Sequence, residues 1–448
     1  MHQATISYPG GQTHPKHGSN VMSTTVLRSF RLVCPQDSIS LVESLLHAQG
    51  YRFEPEPFSP WVRRLVEEPR PLGGSLAAFF GYLYIQDRSS MLPPLALAPQ
   101  PGDAVIDMCA SPGSKTGFLA QLVGPTGFVM GNEPNRTRLA TLRQNLQTLN
   151  LLHAATCSYP GEALPLPDGG WDRIQLDPPC SGWGTVERNP QVLTLWQGDK
   201  IRPLIGLQRL LLAEATRLLR PGGSVVYSTC TTNVDENEAQ VRYAVETLGL
   251  EVEPLAPPPG FVFADPELPG CDGTLRVDPE ASSAQGFYIA RLRKPGPADV
   301  AERPPLPEVE PLAFRPLRHK ELAAPGVDPA LLPEGAAAVF GDTPYFLPRQ
   351  ALERLPASFR WMGCPLGKAP RGDIRLSPRL HALMPHGTTP AIADEERLVL
   401  EDPADIEALL QGRSRTVASR GREISLYWHD LPLCRLKLKN GRALWSER

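Results

Sequence analysis

Short apolar runs bounded by glycine turns alternate with helix-like segments over residues 99–293. The apolar runs predict strands, and the segments with apolar residues every three or four positions predict helices. The predicted strands are 104–107, 127–131, 173–176, 223–227 and 286–292, and the predicted helices are 115–123, 136–149 and 207–219. Strands that alternate with helices need crossover connections, so the pattern predicts an α/β fold with a mostly parallel sheet that the last strand closes.

Changes in composition divide the rest of the chain. Residues 1–24 are polar and predict a disordered tail, and residues 25–98, with a predicted helix at 38–49, indicate a small α+β region. After the α/β domain, 99–295, six of the seventeen residues from Pro295 to Pro311 are proline. We therefore assign 296–330 to a semi-rigid linker and 331–448 to a separate C-terminal domain.

Composition narrows the class of protein. The 448 residues are 41% hydrophobic and carry a formal net charge of −3, which excludes a largely disordered chain and a uniformly basic nucleic-acid coat. The most apolar stretch, Leu72–Ile85, is too short to span a bilayer, and no signal peptide is visible, so we expect a cytoplasmic protein without membrane contact. Residues 412–448 hold nine Lys or Arg against three Asp or Glu, which fits either a solvated face or a nucleic-acid contact.

Eight cysteines are spread along the chain without a CxxC pair. This spacing argues against a disulfide scaffold and against a zinc site, and it fits a reducing compartment. We therefore predict no bound metal.

The first candidate motif, Asp107 to Thr116, follows a predicted strand and opens a helix. Gly113 would let the backbone approach a ligand closely, and the start of the helix offers free N–H groups. Glu133 ends the next strand, where an open α/β sheet places an acid that binds ribose hydroxyls. Together they predict an adenosine-type cofactor, although an ordinary turn beside a surface glutamate is the alternative.

Two further motifs end in cysteine. Asp177-Pro178-Pro179-Cys180 and Ser228-Thr229-Cys230 each follow a predicted strand, so the parallel sheet would bring both to one edge. Addition of a thiolate to carbon 6 of a pyrimidine makes carbon 5 nucleophilic enough to attack a methyl donor. A methyltransferase acting on an amino group would need Asp-Pro-Pro and no cysteine, so the two thiols favour chemistry at carbon 5.

These motifs resemble the signatures of the RNA cytosine-C5 methyltransferases of the Sun and nucleolar-antigen group. So do the segments 86–91, 208–223 and 236–238, and the likeness runs from about residue 75 to 293. The C-terminal region, including 362–367, more weakly resembles the RNA-binding, PUA-like extension of the bacterial ribosomal RNA small-subunit methyltransferase F type, and residues 25–75 loosely resemble an RNA-recognition region.

The resemblance implies a class I, Rossmann-like methyltransferase that binds S-adenosylmethionine. Cys230 would be the nucleophile, Cys180 would assist release of the product, and Asp177 would contact both the base and the cofactor. The remaining cofactor residues implied are Cys109, Ala110, Ser111, Pro112, Gly113, Ser114, Lys115 and Glu133. Cys180 is the rival nucleophile, because related DNA enzymes use a Pro-Cys motif, and Lys115 and Arg188 are candidates to support the site or RNA phosphates.

One segment departs from the family pattern. The acid that faces the adenine of the cofactor is missing from Ser158–Glu162, or Glu162 replaces it. The resemblance implies a monomer that forms 5-methylcytosine in RNA, with small-subunit ribosomal RNA favoured over transfer RNA because of the C-terminal extension. An amino-group methyltransferase and a non-catalytic RNA-binding assembly factor are the alternatives.

Overall fold

The structure is a computed structural model that describes residues 28–186, 189–196, 198–296, 315–386, 396–419 and 421–447. The predicted tail 1–24, about half of the predicted linker (297–314), Arg188 and Arg420 lie outside the described residues. All eight cysteines are free thiols. Within the described ranges, no helix is long and apolar enough to cross a membrane.

A mixed sheet flanked by helices forms the centre of the molecule. Its strands and helices are β5 (Ala104–Asp107), α4 (Ser114–Val123), β6 (Phe128–Asn132), α5 (Arg136–Thr148), β7 (Ala154–Cys157), β8 (Trp171–Leu176), α6 (Val192–Leu195), α7 (Arg202–Leu218), β9 (Leu219–Thr229), α8 (Glu238–Glu246), β10 (Glu251–Val252), β11 (Phe263–Ala264), β12 (Leu275–Val277), α9 (Pro279–Ser282) and β13 (Phe287–Arg293). The strand order is β11-β12-β13-β9-β8-β5-β6-β7-β16, with β10 paired to β13; β16 (Trp361–Met362) comes from the C-terminal region described below.

The predicted α/β fold is confirmed, and the five central strands of its sheet are parallel, as predicted. Strands β9, β8, β5, β6 and β7 are parallel neighbours. Every residue of β5 and β6 is buried, as expected for strands that helices cover on both faces. Four central strands therefore present their carboxyl ends side by side, which is where the candidate motifs lie.

Two strands and one helix differ from the prediction. The strand β7 was not predicted, because its four residues are too short and mixed to show a period. The last strand, β13, runs antiparallel to β9, and β12 and β11 extend the sheet beyond it, so it does not close the edge. Helix α7 begins five residues earlier than predicted, because Pro203 fits its first turn.

The N-terminal region is an α+β unit, as predicted. Its elements are β1 (Ser29–Leu32), α1 (Ile39–Ala48), β2 (Arg52–Pro55), β3 (Val62–Glu67), α2 (Leu76–Phe79), β4 (Leu83–Ile85) and α3 (Leu92–Leu97). The strands form an antiparallel sheet in the order β2-β3-β1-β4.

The C-terminal region contains small sheets. Its elements are β14 (Gly335–Phe340), β15 (Thr343–Pro348), α10 (Arg349–Arg354), β16 (Trp361–Met362), β17 (Cys364–Pro365), β18 (Gly367–Lys368), β19 (Arg375–Leu376), β20 (Arg397–Leu400), α11 (Pro403–Leu410), β21 (Arg415–Thr416), β22 (Glu423–Trp428), β23 (Leu431–Lys439) and β24 (Arg442–Leu444). Strand β16 pairs antiparallel with β7, so this region also lengthens the central sheet.

The two ends of the chain share one hydrophobic core. Buried side chains of β1, α1 and β4 pack with those of β22 and β23. The Tyr82 hydroxyl donates to the carbonyl of Pro432, and the His381 ring stacks on Tyr82 with centroids 4.3 Å apart. Trp428 Nε1 donates to Ser44 Oγ at 3.0 Å. The N-terminal and C-terminal regions thus pack together, while the domain boundaries given above stay predictions.

Candidate active site

The carboxyl ends of β5, β6, β8 and β9 form one polar edge of the central sheet. Asp107 ends β5, Glu133 follows β6, Asp177 follows β8, and Cys230 follows β9. Because these strands are neighbours in the sheet, residues more than one hundred positions apart converge there. The structure therefore brings together the three motifs that the sequence separates.

The loop between β5 and α4 is shaped to approach a ligand. Gly113, the residue before α4, has φ of +107°, and no side chain caps the start of this helix. A Cβ atom at Gly113 would lie 3.1 Å from Leu142 Cδ1, so a larger residue would be both strained and crowded. Ala110 N donates to Asn132 O, and Ser111 Oγ donates to Arg138 O, which fix the loop against β6 and α5.

Asp107 lies beneath this loop. Thr116 Oγ1 donates to its Oδ2 at 2.7 Å, and the backbone N–H of Cys109 lies 3.4 Å from its Oδ1. Burial raises the pKa of Asp107 to about 6. Burial also raises the pKa of the Cys109 thiol well above its usual value, which leaves Cys109 protonated and unsuited to nucleophilic attack.

Glu133 fits the role of a ribose-binding acid. Its side chain is 2% exposed; Oε1 accepts from Asn135 N at 2.9 Å, and Oε2 lies 3.4 Å from Arg138 Nε. Each carboxylate oxygen can accept a second hydrogen bond, so two acceptor positions are available for a diol. The uncapped helix start and this buried acid together fit an adenosine cofactor, and the roles of the residues from Cys109 to Lys115 stay predictions.

Asp177 and Lys115 form an ion pair at the centre of the edge. Lys115 Nζ lies 2.7 Å from Asp177 Oδ2, and Ser228 Oγ donates to Oδ1 at 3.0 Å. Lys115 also donates to Ser90 Oγ at 3.3 Å. Burial works against the charge of Lys115, but the attraction of Asp177 outweighs it, and the pKa of Lys115 is raised. The sequence predicted that Lys115 helps to bind the cofactor. In the structure its ammonium group contacts Asp177.

The two motif cysteines touch. Cys180 Sγ and Cys230 Sγ are 3.4 Å apart, a distance at which one thiol donates to the other. The hydrogen bond from Cys180 and the nearby charge of Lys115 lower the pKa of Cys230. That same hydrogen bond, burial, and the carboxylates of Asp177 and Glu236 raise the pKa of Cys180 well above its usual value. Of the two thiols, Cys230 is therefore the one that loses its proton more readily, and Cys180 holds its proton more tightly.

Several residues of the site carried no predicted role. Ser228, Ser90 and Glu236 contact Asp177, Lys115 and the Cys180 loop, respectively. The sequence did hold a signal for these residues. They are polar and lie in or beside the motifs, and segments 86–91 and 236–238 are part of the family resemblance. Among groups of three or more His, Cys, Asp or Glu in the described ranges, none is arranged to hold a metal ion.

The segment that departs from the family pattern is held by Asn132. The Asn132 side chain exchanges two hydrogen bonds of 3.0 Å with the backbone of Tyr159, and it also donates to Met108 O at 3.2 Å. Glu162 is exposed. Replacement of the missing acid by Glu162 stays a prediction, and Asn132 is a second polar residue beside the cofactor loop that sequence reasoning missed.

Comparison with protein families gives one match at this site. Residues 94–293 match the model of the family described as 16S rRNA methyltransferase RsmB/F. These residues include every candidate site residue named above except Ser90.

Relatives extend the likeness beyond this domain. Ribosomal RNA small subunit methyltransferase F of Klebsiella pneumoniae (strain 342) is 34% identical over 306 residues, which are 66% of this chain and 63% of the relative. The protein of the same name from Salmonella paratyphi B (strain ATCC BAA-1250 / SPB7) is 35% identical over 66% of this chain and 62% of its own length. The match thus spans less than two thirds of the length of these relatives.

Two solved structures share the fold. A methyltransferase homolog protein from Pyrococcus horikoshii is 33% identical, with a TM-score of 0.52, over 60% of this chain and 86% of the other. The structure of NSun6 from Pyrococcus horikoshii with SFG has a TM-score of 0.53 at 22% identity, over 60% of this chain and 91% of the other. The second likeness supports the fold alone.

Proposed function

Because the chain belongs to the 16S rRNA methyltransferase RsmB/F family, we propose that it methylates carbon 5 of a cytidine in small-subunit ribosomal RNA. The observation that carries this proposal is the pair of sulfurs 3.4 Å apart beside the Lys115–Asp177 ion pair. Methylation at nitrogen needs no thiol, whereas methylation at carbon 5 of a pyrimidine needs a nucleophile at carbon 6. The S-adenosylmethionine cofactor predicted from the sequence is the cofactor of this family.

The cofactor supplies an electrophilic methyl group when it is bound. The backbone around Gly113 would line one side of it, and Glu133 would accept hydrogen bonds from its ribose hydroxyls. Asp177 stands between this loop and the thiols, so it is placed to contact both the cofactor and the base. This arrangement would hold the methyl group and the target carbon together in one orientation.

Cys230 would attack carbon 6 of the cytosine. The sulfur donates an electron pair to form the S–C6 bond, and the electrons of the C5–C6 double bond become available at carbon 5. Asp177 would accept a hydrogen bond from the exocyclic amine of the base, and Lys115 would offset the negative charge that builds up on the ring. Attack comes from outside the ring plane, so the cytidine must be unstacked from its neighbours.

Cys180 would act after methyl transfer. The hydrogen on carbon 5 must leave as a proton, and its electron pair restores the C5–C6 double bond while the S–C6 bond breaks and Cys230 regains a thiolate. Cys180 lies against Cys230 and would assist as the base or as a relay, releasing its own proton to solvent as it takes up the one from carbon 5. The reverse assignment, with Cys180 as nucleophile, is disfavoured because Lys115 stabilises charge on Cys230 and Glu236 opposes charge on Cys180.

Methyl transfer from labelled S-adenosylmethionine to total bacterial RNA tests the function. We expect label in small-subunit ribosomal RNA, and bisulfite sequencing should show one or few protected cytidines. Label in transfer RNA would support the alternative substrate, and label on an amino nitrogen would refute chemistry at carbon 5. An absence of transfer to naked RNA and to small subunits would favour the non-catalytic assembly factor.

The C-terminal region is the proposed source of RNA affinity. Arg413, Arg415 and Arg422 are exposed, and Lys439 and Arg442 are paired opposite each other on β23 and β24 with exposed side chains. With a net charge of −3 for the whole chain, attraction to phosphate must come from such local patches. We propose that this region and residues 25–98 contact RNA, and that the protein acts as a cytoplasmic monomer.

Neutralising the arginines of this region is expected to weaken RNA binding. Replacement of Arg413, Arg415, Arg420 and Arg422 by glutamine should raise Kd about tenfold at moderate salt and make log Kd less steep against log salt concentration, because fewer counterions are released. Filter binding over a salt series measures both quantities. Arg242→Gln with Arg293→Gln, both in the α/β domain, is the control, and an unchanged salt slope in the fourfold variant would refute the contact.

A further inference from the structure

Glu236 is a buried acid between the two cysteine loops. Its side chain is fully buried, and its carboxylate accepts four hydrogen bonds. The donors are Ser181 N at 2.9 Å and Gln208 Nε2 at 3.0 Å on Oε1, and Ser181 Oγ and Asn233 Nδ2 on Oε2. Three of the four donors are N–H groups, which can only donate, so both oxygens of the side chain serve as acceptors.

These hydrogen bonds connect the two loops to each other. Ser181 follows Cys180, and its hydroxyl lies 2.7 Å from Thr231 Oγ1, which follows Cys230. Gln208 Nε2 donates both to Glu236 and to the carbonyl of Pro179, which precedes Cys180. The flanking residues of both thiols are thus held by a single carboxylate and its donors, and this sets the distance between the sulfurs.

Glu236 is buried without a counter-ion in the described ranges. Among the described residues, no Lys or Arg forms an ion pair with it, so its hydrogen bonds must offset the several kcal/mol that burial of an unpaired charge costs. Glutamine would fill the same space, but its amide nitrogen cannot accept a hydrogen bond, so the donors on one side would lose their acceptor. The donors therefore account for an acid here, and its carboxylate, held by the backbone N–H of Ser181, is next to the Cys180 thiol.

The charges around the two thiols are divided. Lys115 acts on Cys230, Glu236 acts on Cys180, and Asp177 faces both. Resting on the function proposed above, we propose that Glu236 is a positioning residue that holds the two cysteine loops together and keeps the shared proton on Cys180, so that Cys230 is free to attack the base. It touches neither base nor cofactor and acts only through the thiols.

Alkylation of the free enzyme tests this role without RNA. Iodoacetamide reacts with thiolates, and peptide mass spectrometry gives a rate for each cysteine across a pH series. In Glu236→Gln we expect the ratio of Cys230 to Cys180 alkylation to fall about tenfold, the change that one pKa unit produces. Glu236→Asp withdraws the charge by one methylene and should lower the ratio by about threefold.

Turnover gives the second readout. The kcat for methyl transfer should fall about tenfold in Glu236→Gln, while KM for RNA stays within about twofold, because RNA contacts are untouched. Asp235→Asn removes an exposed charge one residue away and should change neither readout. Circular dichroism checks folding, and Glu236→Asp keeps the test decisive if the glutamine variant does not fold.

The outcomes separate this inference from the proposed function. An alkylation ratio equal to that of the unmodified enzyme in a folded Glu236→Gln or Glu236→Asp variant would overturn the positioning role, whatever happens to kcat. Changed ratios in an enzyme that labels no cytidine would leave the positioning role intact and refute the proposed function instead.

Discussion

Replacement of Cys230 by alanine is expected to abolish both methyl transfer and covalent attachment to RNA. Loss of a nucleophile that acts together with its neighbours lowers kcat by about 10⁴-fold or more, because the neighbouring thiol, Cys180, holds its proton too tightly to replace it at carbon 6. Cys109 cannot substitute, since its thiol is held protonated in the cofactor loop. Filter assays with labelled cofactor measure turnover, and denaturing gels measure the covalent complex.

Cys180→Ala should give a different result from Cys230→Ala. The adduct should form and then persist, so a denaturant-stable complex of protein and RNA accumulates while multiple turnover stops. Cys34→Ala, at a buried thiol of the N-terminal core, is the matched control and should neither trap RNA nor lose activity. If Cys230→Ala forms the adduct and Cys180→Ala does not, the two roles are reversed.

Asp177→Asn is the second substitution for which we expect a large loss. The change removes the counter-charge of Lys115, 2.7 Å away, and leaves a buried ammonium beside the thiols and the base. The amide would also present a donor toward the amine of cytosine. We expect kcat to fall by about 10³-fold, within the range for removing a group that contacts the reacting base.

Ser228→Ala is a milder change at the same carboxylate, and its effect can be compared with that of Asp177→Asn. It removes only the 3.0 Å hydrogen bond to Oδ1 and keeps the charge, so we expect a loss of about tenfold or less. Single-turnover rates and the KM for S-adenosylmethionine should be measured for both variants. Equal losses in the two would show that orientation of the carboxylate, and not its charge at the base, is what matters.

The site at the edge of the sheet could be predicted because its functional residues stand at the ends of predicted strands. Asp107, Asp177 and Cys230 each come directly after an apolar run, and parallel strands bring such positions together. Short strands with mixed composition, such as β7, carry no comparable signal. The antiparallel direction of β13 is set by pairing with β9, a contact between distant residues, and apolar periodicity does not encode it.

The polar residues around the two thiols show a second limit of prediction from the sequence. Glu236 and Asn132 are polar residues, which local patterns assign to the surface, yet both are fully buried. Their positions are dictated by hydrogen bonds to loops 27 to 55 residues away along the chain. Only the three-dimensional structure shows that such residues face inward, because burial of a polar group depends on partners that no single segment contains.

The shared core of the chain ends has a consequence for synthesis. Apolar residues of β1 and β4 are covered by β22 and β23, which the ribosome adds more than 300 residues later. At about 5 to 20 residues per second, the first sheet waits on the order of 20 to 70 seconds with that face uncovered. The α/β domain can complete its own sheet strands up to β13 during this interval. The nascent N-terminal region therefore depends on protection from aggregation until the last strands emerge.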